Sequence, residues 1–255
     1  MTSISNRAAI SLANWRTAPH NRWSFQHVEE FIPTATIQTR TRPAQRLVNA
    51  GLLVDLEVPA REGGTVPIET YFGETFADGF VALKDGVLVG EWFAPGADPE
   101  RPHVVFSVSK SITAVLAGIV EADGLLDTTA PVTAYVPEVR GSAYGDATVR
   151  DLLDMVVSID FDEAYLDADG AFDRYRRAML WNPQRPGEPE ENMVGFLSTL
   201  GKAAHPHGAR FHYVSPNTDM AGLVVERAAG VRFPDLLASR LWGPMGATGS
   251  AYVTV

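Results

Sequence analysis

The sequence predicts a mixed α/β (α+β) fold with a small antiparallel sheet ahead of a long helical region. Phe80–Leu83 and Val87–Phe93 are β-rich runs on either side of an Asp85-Gly86 turn, which is a strong β-hairpin signal. Helical periodicity begins near Phe106 and continues in shorter segments through most of the remaining chain. No strand pattern follows the hairpin. Because two strands alone are barely stable, we expect the sheet to be incomplete.

Capping and breaking residues divide the helical region. An apolar helix is expected from Phe106 to Gly124, where the glycine ends it. Thr148 is a predicted N-cap, and Asp151 three residues later completes a capping box. Further helices are expected over 44–56, 171–181, 192–200 and 232–246, with a Pro216-Asn217 turn ahead of a helix that Gly230 ends.

The composition is that of an ordinary globular protein and excludes several classes. Hydrophobic residues make up 45% of the 255 positions and charged residues 20%. The net charge of −10 argues against binding nucleic acid through a basic surface. The chain has no apolar run of about 18 residues and no signal peptide, so we expect a cytoplasmic protein without membrane contact. The absence of cysteine excludes disulfides, thiolate catalysis and cysteine-ligated zinc.

The first turn of the predicted apolar helix carries one of the chain's three lysines. Ser107 and Lys110 are three residues apart, so both lie on one face of the helix. A serine hydroxyl becomes a good nucleophile only when a neighbouring group takes its proton, and a desolvated lysine can help to do so. The same spacing also fits a serine N-cap followed by a surface lysine, so the pair alone leaves both interpretations open.

A second candidate lies farther along the chain, in the segment FHYVSPN, which contains Tyr213 and Ser215. In serine enzymes that use the Ser-x-x-Lys pair, a Tyr-x-Asn or Tyr-x-Ser loop faces the nucleophile, and its tyrosine exchanges protons. The ordinary pKa of tyrosine is about 10, so a neighbouring ammonium must stabilise the phenolate. Alone, Tyr213 would more often be a half-buried packing residue, but the two segments together favour a catalytic site.

Three segments, FSVSKS, DMVVSIDFDEAY and YVSPNTDMAGLVVERAAG, resemble class C β-lactamase-related serine hydrolases. Together with WRTAPHNRWSFQHV, they are most similar to the nylon-oligomer (6-aminohexanoate-dimer) hydrolases and related carboxylesterases. The resemblance implies a serine β-lactamase-like fold, an antiparallel sheet flanked by helices with an inserted all-α domain. Residues 1–105 would then hold the first strands of the α/β domain, 106–210 the nucleophile helix and the all-α domain, and 211–255 the tyrosine loop and returning helices.

By this resemblance, Ser107 is the nucleophile that becomes acylated, Lys110 is its general-base partner and Tyr213 relays the proton. We therefore expect hydrolysis of small esters or linear amides through an acyl-serine intermediate, with no cofactor and no metal. The alternative is a non-catalytic scaffold protein that keeps the fold without turnover.

Three further residues are expected to contact the substrate. Tyr165 matches the tyrosine on a loop that closes over amide substrates in the nylon-oligomer enzymes. Ser215 stands where β-lactamases usually have asparagine, which lowers the expectation of lactam-antibiotic hydrolysis. Trp181 follows the loop that carries Tyr165 and is expected to line the cleft.

The resemblance also implies that relatives continue beyond Val255. That further part would supply the remaining strands, a C-terminal helix and an edge-strand motif whose backbone N–H completes the oxyanion hole. We therefore expect the active molecule to need it, and we expect a homodimer.

Two charged clusters offer weaker candidates for binding sites. His205, His207 and His212 are close in sequence, but no carboxylate accompanies them at a metal-binding spacing, so we expect a polar loop. The acidic stretch over 160–173 fails the EF-hand template because Tyr165 falls at its first position, so we expect a solvated rim. The arginines that follow are expected to form ion pairs with this rim, unless one points inward and binds a substrate carboxylate. They are Arg174, Arg176 and Arg177.

Overall fold

The computed structural model describes residues 7–38, 53 and 55–255 of the chain. The helix predicted over 44–56 falls almost wholly outside these residues. The described part combines helices with short antiparallel strand pairs, and it divides into two compact units. No helix in this part is long and apolar enough to cross a membrane.

The first unit combines Met1–Phe31 with Arg42–Val104. Its small core contains Ile68 and Phe72, and the Phe72 ring lies 4.9 Å from the rings of both Phe80 and Trp92. Two hairpins and short helices surround this core. The elements are α1 (Asn21–Ser24), β2 (Glu57–Pro59), β3 (Thr65–Pro67), α2 (Ile68–Glu74), β4 (Gly79–Lys84) and β5 (Val87–Phe93).

The predicted hairpin is confirmed within this unit. β4 and β5 pair antiparallel, and Asp85 and Gly86 form the turn between them. Both turn residues have positive φ, +52° for Asp85 and +77° for Gly86. That left-handed geometry matches the twist of the two strands, which is why an Asp-Gly pair favours a hairpin.

The second unit combines Ile32–Thr41 with Val105–Val255 and contains the larger core. The prediction that no strand follows the hairpin is wrong, because Ala251–Thr254 pairs antiparallel with Thr34–Ile37. A strand of four residues is too short for its alternation to stand out in a sequence. The elements are β1 (Thr34–Ile37), α3 (Val108–Ala122), α4 (Val149–Leu153), α5 (Ala171–Ala178), α6 (Met193–Ser198), α7 (Ser215–Ala229), α8 (Phe233–Leu237) and β6 (Ala251–Thr254).

Helix α3 is the structural support of the candidate site. Its buried side chains Leu116 and Val120 belong to the large core, where α3 packs against α7. Gly124 follows the helix with φ +74°, as the sequence predicts. Burial of one face of α3 therefore holds its first turn in place.

The capping residues of the other helices explain where they begin and end. Thr148 and Asp151 form the predicted capping box at α4. Gly230 ends α7 in the left-handed conformation, also as predicted. The predicted Pro216-Asn217 turn is wrong, because both residues belong to the first turn of α7. Proline is accepted there because the N–H that it lacks would have no helical partner in any case.

Candidate active site

Ser107 occupies the N-cap position of α3 without capping the helix. Its side chain makes no capping hydrogen bond, whereas the Ser109 hydroxyl donates to the carbonyl of Phe106 at 2.6 Å. Phe106 has φ +43°, a conformation that bulky residues rarely adopt and that costs about 1–3 kcal/mol. The interpretation of Ser107 as an ordinary cap is therefore wrong, and its exposed hydroxyl is available to other partners.

Those partners are Lys110 and Tyr213. The Lys110 Nζ donates to the Ser107 Oγ at 3.0 Å, and the Tyr213 hydroxyl donates to the same oxygen at 2.9 Å. The Lys110 Nζ also lies 5.1 Å from the centre of the Tyr213 ring. The structure thus brings the three residues predicted to be catalytic around one oxygen atom, while their catalytic roles stay predictions.

Ser215 joins this group from the first turn of α7. Its Oγ accepts a hydrogen bond from the Lys110 Nζ at 3.1 Å, so the ammonium lies between two serine hydroxyls. Its backbone N–H donates to the Oε1 of Glu163. Ser215 therefore contacts Lys110 directly.

Glu163 is a site residue that the sequence does not distinguish from its acidic neighbours. The prediction of a solvated rim is right for Asp162 and Asp169, whose side chains are 92% and 90% exposed. It is wrong for Glu163, which is half-buried and accepts one hydrogen bond on each carboxylate oxygen. Sequence alone cannot show which acid of an acidic run turns inward, because that depends on how the loop folds.

Tyr165 reaches the site through Glu163. Its hydroxyl donates to the Glu163 Oε2 at 2.6 Å, and this bond, together with desolvation, raises the pKa of Tyr165 to about 12. The ring packs edge-on against Phe172 at 4.8 Å while the residue stays 60% exposed. The Tyr165 hydroxyl is thus held beside the site by its hydrogen bond to Glu163.

Trp181 lies next to the turn that presents the nucleophile. Its ring packs edge-to-face on Phe106 at 5.8 Å, and Phe106 directly precedes Ser107. Contact with substrate stays a prediction for Trp181.

A polar layer under Ser215, in which all residues but Asp219 are buried, was not predicted from the sequence. Asn217 is fully buried, and its Oδ1 accepts a hydrogen bond from the equally buried Tyr144 hydroxyl at 3.2 Å. Asp219 accepts a hydrogen bond from the buried Tyr175 hydroxyl, and desolvation raises the pKa of Asp219 to about 6. Only Asp219 offered a signal in the sequence, because it lies four residues after Ser215 and residues four apart share a helix face.

An open cavity of about 270 Å³ lies beside the catalytic candidates. Lys110 and Tyr213 contribute to its wall, which is otherwise largely apolar and includes Leu152, Met155 and Phe211. The cavity can take an uncharged, aliphatic part of a bound molecule.

The arginines after the acidic stretch behave in two ways. Arg177 forms an ion pair with Asp173 of the acidic stretch, as predicted, whereas Arg174 pairs with Glu191, which lies outside that stretch. Arg176 instead lies over the Phe172 ring at 4.2 Å. Its guanidinium stacks on aromatic rings, a geometry that lysine would not reproduce.

The three histidines form no common metal site. His207 accepts a hydrogen bond from the backbone of Ser158, and His205 accepts one from Arg210. His212 lies 3.5 Å from Asp162. In the part of the chain that the structure describes, no group of three or more histidine, aspartate or glutamate side chains could hold a metal ion.

Comparison with known proteins identifies relatives of the whole chain. A family model described as beta-lactamase matches residues 75–254. A 6-aminohexanoate-dimer hydrolase from Paenarthrobacter ureafaciens is 34% identical over 247 residues, which cover 96% of this chain. The chain spans 60% of the length of that relative.

Solved structures give the same result for the fold. A Bacillus anthracis protein provisionally named 6-aminohexanoate-dimer hydrolase superposes with a TM-score of 0.88 at 22% identity, covering 98% of this chain and 66% of its own. The octameric penicillin-binding protein homologue from Pyrococcus abyssi superposes with a TM-score of 0.53 at 20% identity. That match covers 70% of this chain and 41% of the homologue. At these identities the structures show the fold alone, and they confirm the serine β-lactamase-like architecture. With the family model matching most of its length, the chain belongs to the beta-lactamase family.

Proposed function

We propose that the protein is a serine hydrolase that cleaves small esters or linear amides through an acyl-serine intermediate. The observation that carries the proposal is the convergence of Lys110 and Tyr213 on the Ser107 Oγ, at 3.0 and 2.9 Å. Both distances are within reach for direct proton transfer. An ordinary surface serine has no reason to be held by two such groups.

In the acylation step, the Ser107 Oγ forms a bond to the substrate carbonyl carbon while its proton passes to the Lys110–Tyr213 pair. The acceptor in this pair is the Tyr213 phenolate, which the Lys110 ammonium stabilises and which the transfer converts to the phenol. The tetrahedral intermediate then breaks its bond to the leaving alkoxide or amine, which takes the proton back. Water repeats the sequence on the acyl-serine and releases the acid.

The backbone N–H of Ser107 is one proposed donor to the negative oxygen of the tetrahedral intermediate. It precedes the first residue of α3, where aligned peptide dipoles favour negative charge. Among the described residues, no backbone carbonyl accepts a hydrogen bond from it. The second donor stays a prediction, which the family resemblance assigns to an edge-strand motif.

The proposed substrates are uncharged at the scissile bond and carry an aliphatic chain. The apolar cavity beside Lys110 and Tyr213 suits such a chain. The relative named 6-aminohexanoate-dimer hydrolase supports a linear amide as one substrate class. Esters should react more readily, because an alkoxide leaves without the full protonation that an amine needs.

The acyl-serine route predicts a covalent adduct at one residue. Incubation of the protein with a fluorophosphonate should add one adduct per chain, and peptide mass spectrometry should place it on Ser107. With p-nitrophenyl acetate, rapid mixing should show a burst of p-nitrophenol close to one equivalent if deacylation is slower than acylation. An adduct on another residue would show that Ser107 is not the nucleophile. A protein that neither reacts nor turns over would support the scaffold alternative.

Replacement of Tyr165 with phenylalanine should separate the two substrate classes. Phenylalanine keeps the ring contact with Phe172 but removes the hydrogen bond that the Tyr165 hydroxyl would donate to the leaving-nitrogen side of an amide. We expect kcat for a linear amide to fall by about 100-fold, as the loss of one hydrogen-bond donor to the transition state typically causes, and kcat for an ester to change by less than about threefold. Steady-state kinetics on both substrates measure this, with the exposed Tyr71→Phe of the first unit as a matched control. Equal losses on both substrates would contradict the role.

Other expectations from the sequence stay proposals. The partner would be a small ester or amide rather than nucleic acid or membrane, the active molecule would be a homodimer, and its compartment would be the cytoplasm. Because the chain spans only part of its relative's length, the activity of the whole protein is likewise a proposal.

A further inference from the structure

The polar layer beneath Lys110 contains a carboxylate that the proposed mechanism does not use. Asp219 lies four residues after Ser215 on α7, so the two share a face of that helix. Ser215 in turn contacts the Lys110 Nζ at 3.1 Å. Asp219 accepts a hydrogen bond from the Tyr175 hydroxyl, and no cation among the described residues lies within ion-pair distance of it. An acid placed below the site without a direct ion pair needs an explanation.

The charged and titratable groups around Asp219 come from each element packed against it. Lys110 on α3 favours its ionised form, and Glu163 on the loop before α5 opposes it. Tyr175 on α5 and Tyr144 on the loop before α4 are both buried, and the charge of Asp219 raises the pKa of each further after burial has done so. Lys110 is thus the one cation acting on Asp219 within this group.

Glu163 is a second carboxylate beside the site. Its Oε1 accepts a hydrogen bond from the Ser215 N–H and its Oε2 accepts one from the Tyr165 hydroxyl. Asp219 accepts its hydrogen bond from Tyr175 instead. Neutral donors leave the charge of a carboxylate in place, so the effect of Asp219 has to be separated from that of Glu163 by a variant that changes Asp219 alone.

We propose that Asp219 is a positioning residue that acts as the half-buried counter-charge of Lys110 and holds its ammonium toward Ser107 and Ser215. Tyr175 anchors the carboxylate from α5. When Asp219 is ionised, the ammonium is stabilised in place; when Asp219 is protonated, that stabilisation is lost. The effect of Asp219 on the rate of hydrolysis rests on the proposed function, whereas its electrostatic effect on the Lys110 ammonium does not.

The direction of the pH effect follows from the ionisation of Asp219. Desolvation raises its pKa to about 6, so the carboxylate is present above that pH and lost below it. An activity that needs the positioned ammonium should therefore fall as the pH decreases through about 6.

Lysine NMR can test the contact without any substrate. The chain has three lysines, Lys84, Lys110 and Lys202, so side-chain isotope labelling gives three signals, which a Lys110→Arg variant assigns. We expect the Lys110 signal to show an inflection near pH 6 that is absent in Asp219→Asn. Lys84 should show none in either protein. An inflection that persists in Asp219→Asn would overturn the proposal.

A second variant keeps the test independent of any folding defect in Asp219→Asn. Tyr175→Phe retains the carboxylate but removes the hydrogen bond that favours its ionised form. The Lys110 inflection should therefore persist and move to higher pH. If Tyr175 and Asp219 only joined α5 to α7, Tyr175→Phe would leave the Lys110 titration unchanged, and the proposal would be wrong.

The pH profile of ester hydrolysis supplies the kinetic test. Wild type should show an acidic limb in kcat/KM near pH 6. Asp219→Asn should lose this limb, and its kcat/KM at pH 7.5 should be about tenfold lower than that of the wild type. An unreactive wild type would refute the proposed hydrolase while leaving the NMR result valid. A reactive Asp219→Asn with an unchanged profile would refute the positioning role alone.

Discussion

Replacement of Ser107 with alanine is expected to lower kcat for ester hydrolysis by at least about 10⁴-fold and to abolish the fluorophosphonate adduct. The variant removes the oxygen atom on which Lys110 and Tyr213 converge. Loss of the nucleophile in a serine hydrolase removes the covalent route altogether, and what remains is the small contribution of substrate binding and oxyanion stabilisation. Initial rates with p-nitrophenyl esters measure the loss.

A matched control is available in the same helical turn. The Ser109 hydroxyl donates to the Phe106 carbonyl and has no contact with Lys110 or Tyr213 among the hydrogen bonds of the described residues. Ser109→Ala should therefore retain activity within about threefold and keep the adduct. Circular dichroism should show that both variants are folded. Turnover or labelling that survived in Ser107→Ala would show that another residue is the nucleophile.

Replacement of Lys110 with methionine is expected to lower kcat by about 10³-fold with little change in KM. Methionine keeps much of the side-chain length, so the packing of α3 is preserved while the ammonium is removed. That ammonium has three neighbours in the site: the Ser107 hydroxyl, the Ser215 hydroxyl and the Tyr213 ring. Without it, Tyr213 must take the serine proton with no adjacent positive charge, which makes its phenolate costly at neutral pH.

The Lys110 and Tyr213 effects should not add, because the two side chains manage one proton. We expect the Lys110→Met, Tyr213→Phe double variant to lose little more than the worse single variant. Lys202→Met, at an exposed ion pair with Asp146, is the matched lysine control and should keep full activity. A double variant whose loss equals the product of the single losses would show that Lys110 and Tyr213 act independently.

Much of the candidate site could be predicted because its signals are local. Ser107 and Lys110 share a face by helical spacing alone, and α3 begins where that spacing requires. The hairpin turn at Asp85-Gly86 and the left-handed Gly124 follow from backbone preferences that neighbouring residues do not override. These features needed no knowledge of distant parts of the chain.

Glu163 and Asp219 could not be singled out in the same way. Both are ordinary acidic residues in the sequence. What each side chain contacts depends on how the loop that carries Glu163 and the helix that carries Asp219 are oriented in the fold. The Ser215 N–H that Glu163 binds is 52 residues away, and the Tyr175 hydroxyl that Asp219 binds is 44 residues away. Contacts over such separations depend on how α5 and α7 pack.

The sequence by itself determined the hairpin at Asp85-Gly86, the capping box at Thr148 and the glycine ends of α3 and α7, since each rests on backbone preference within a few residues. Only the tertiary structure decided that β6 pairs with β1, and that the Ser107 hydroxyl is held by Lys110 and Tyr213 rather than capping its helix. It also decided that Asp219 lies half-buried with its carboxylate on the Tyr175 hydroxyl. The physical reason is that burial and long-range pairing depend on the whole packed core, which no short segment of the chain contains.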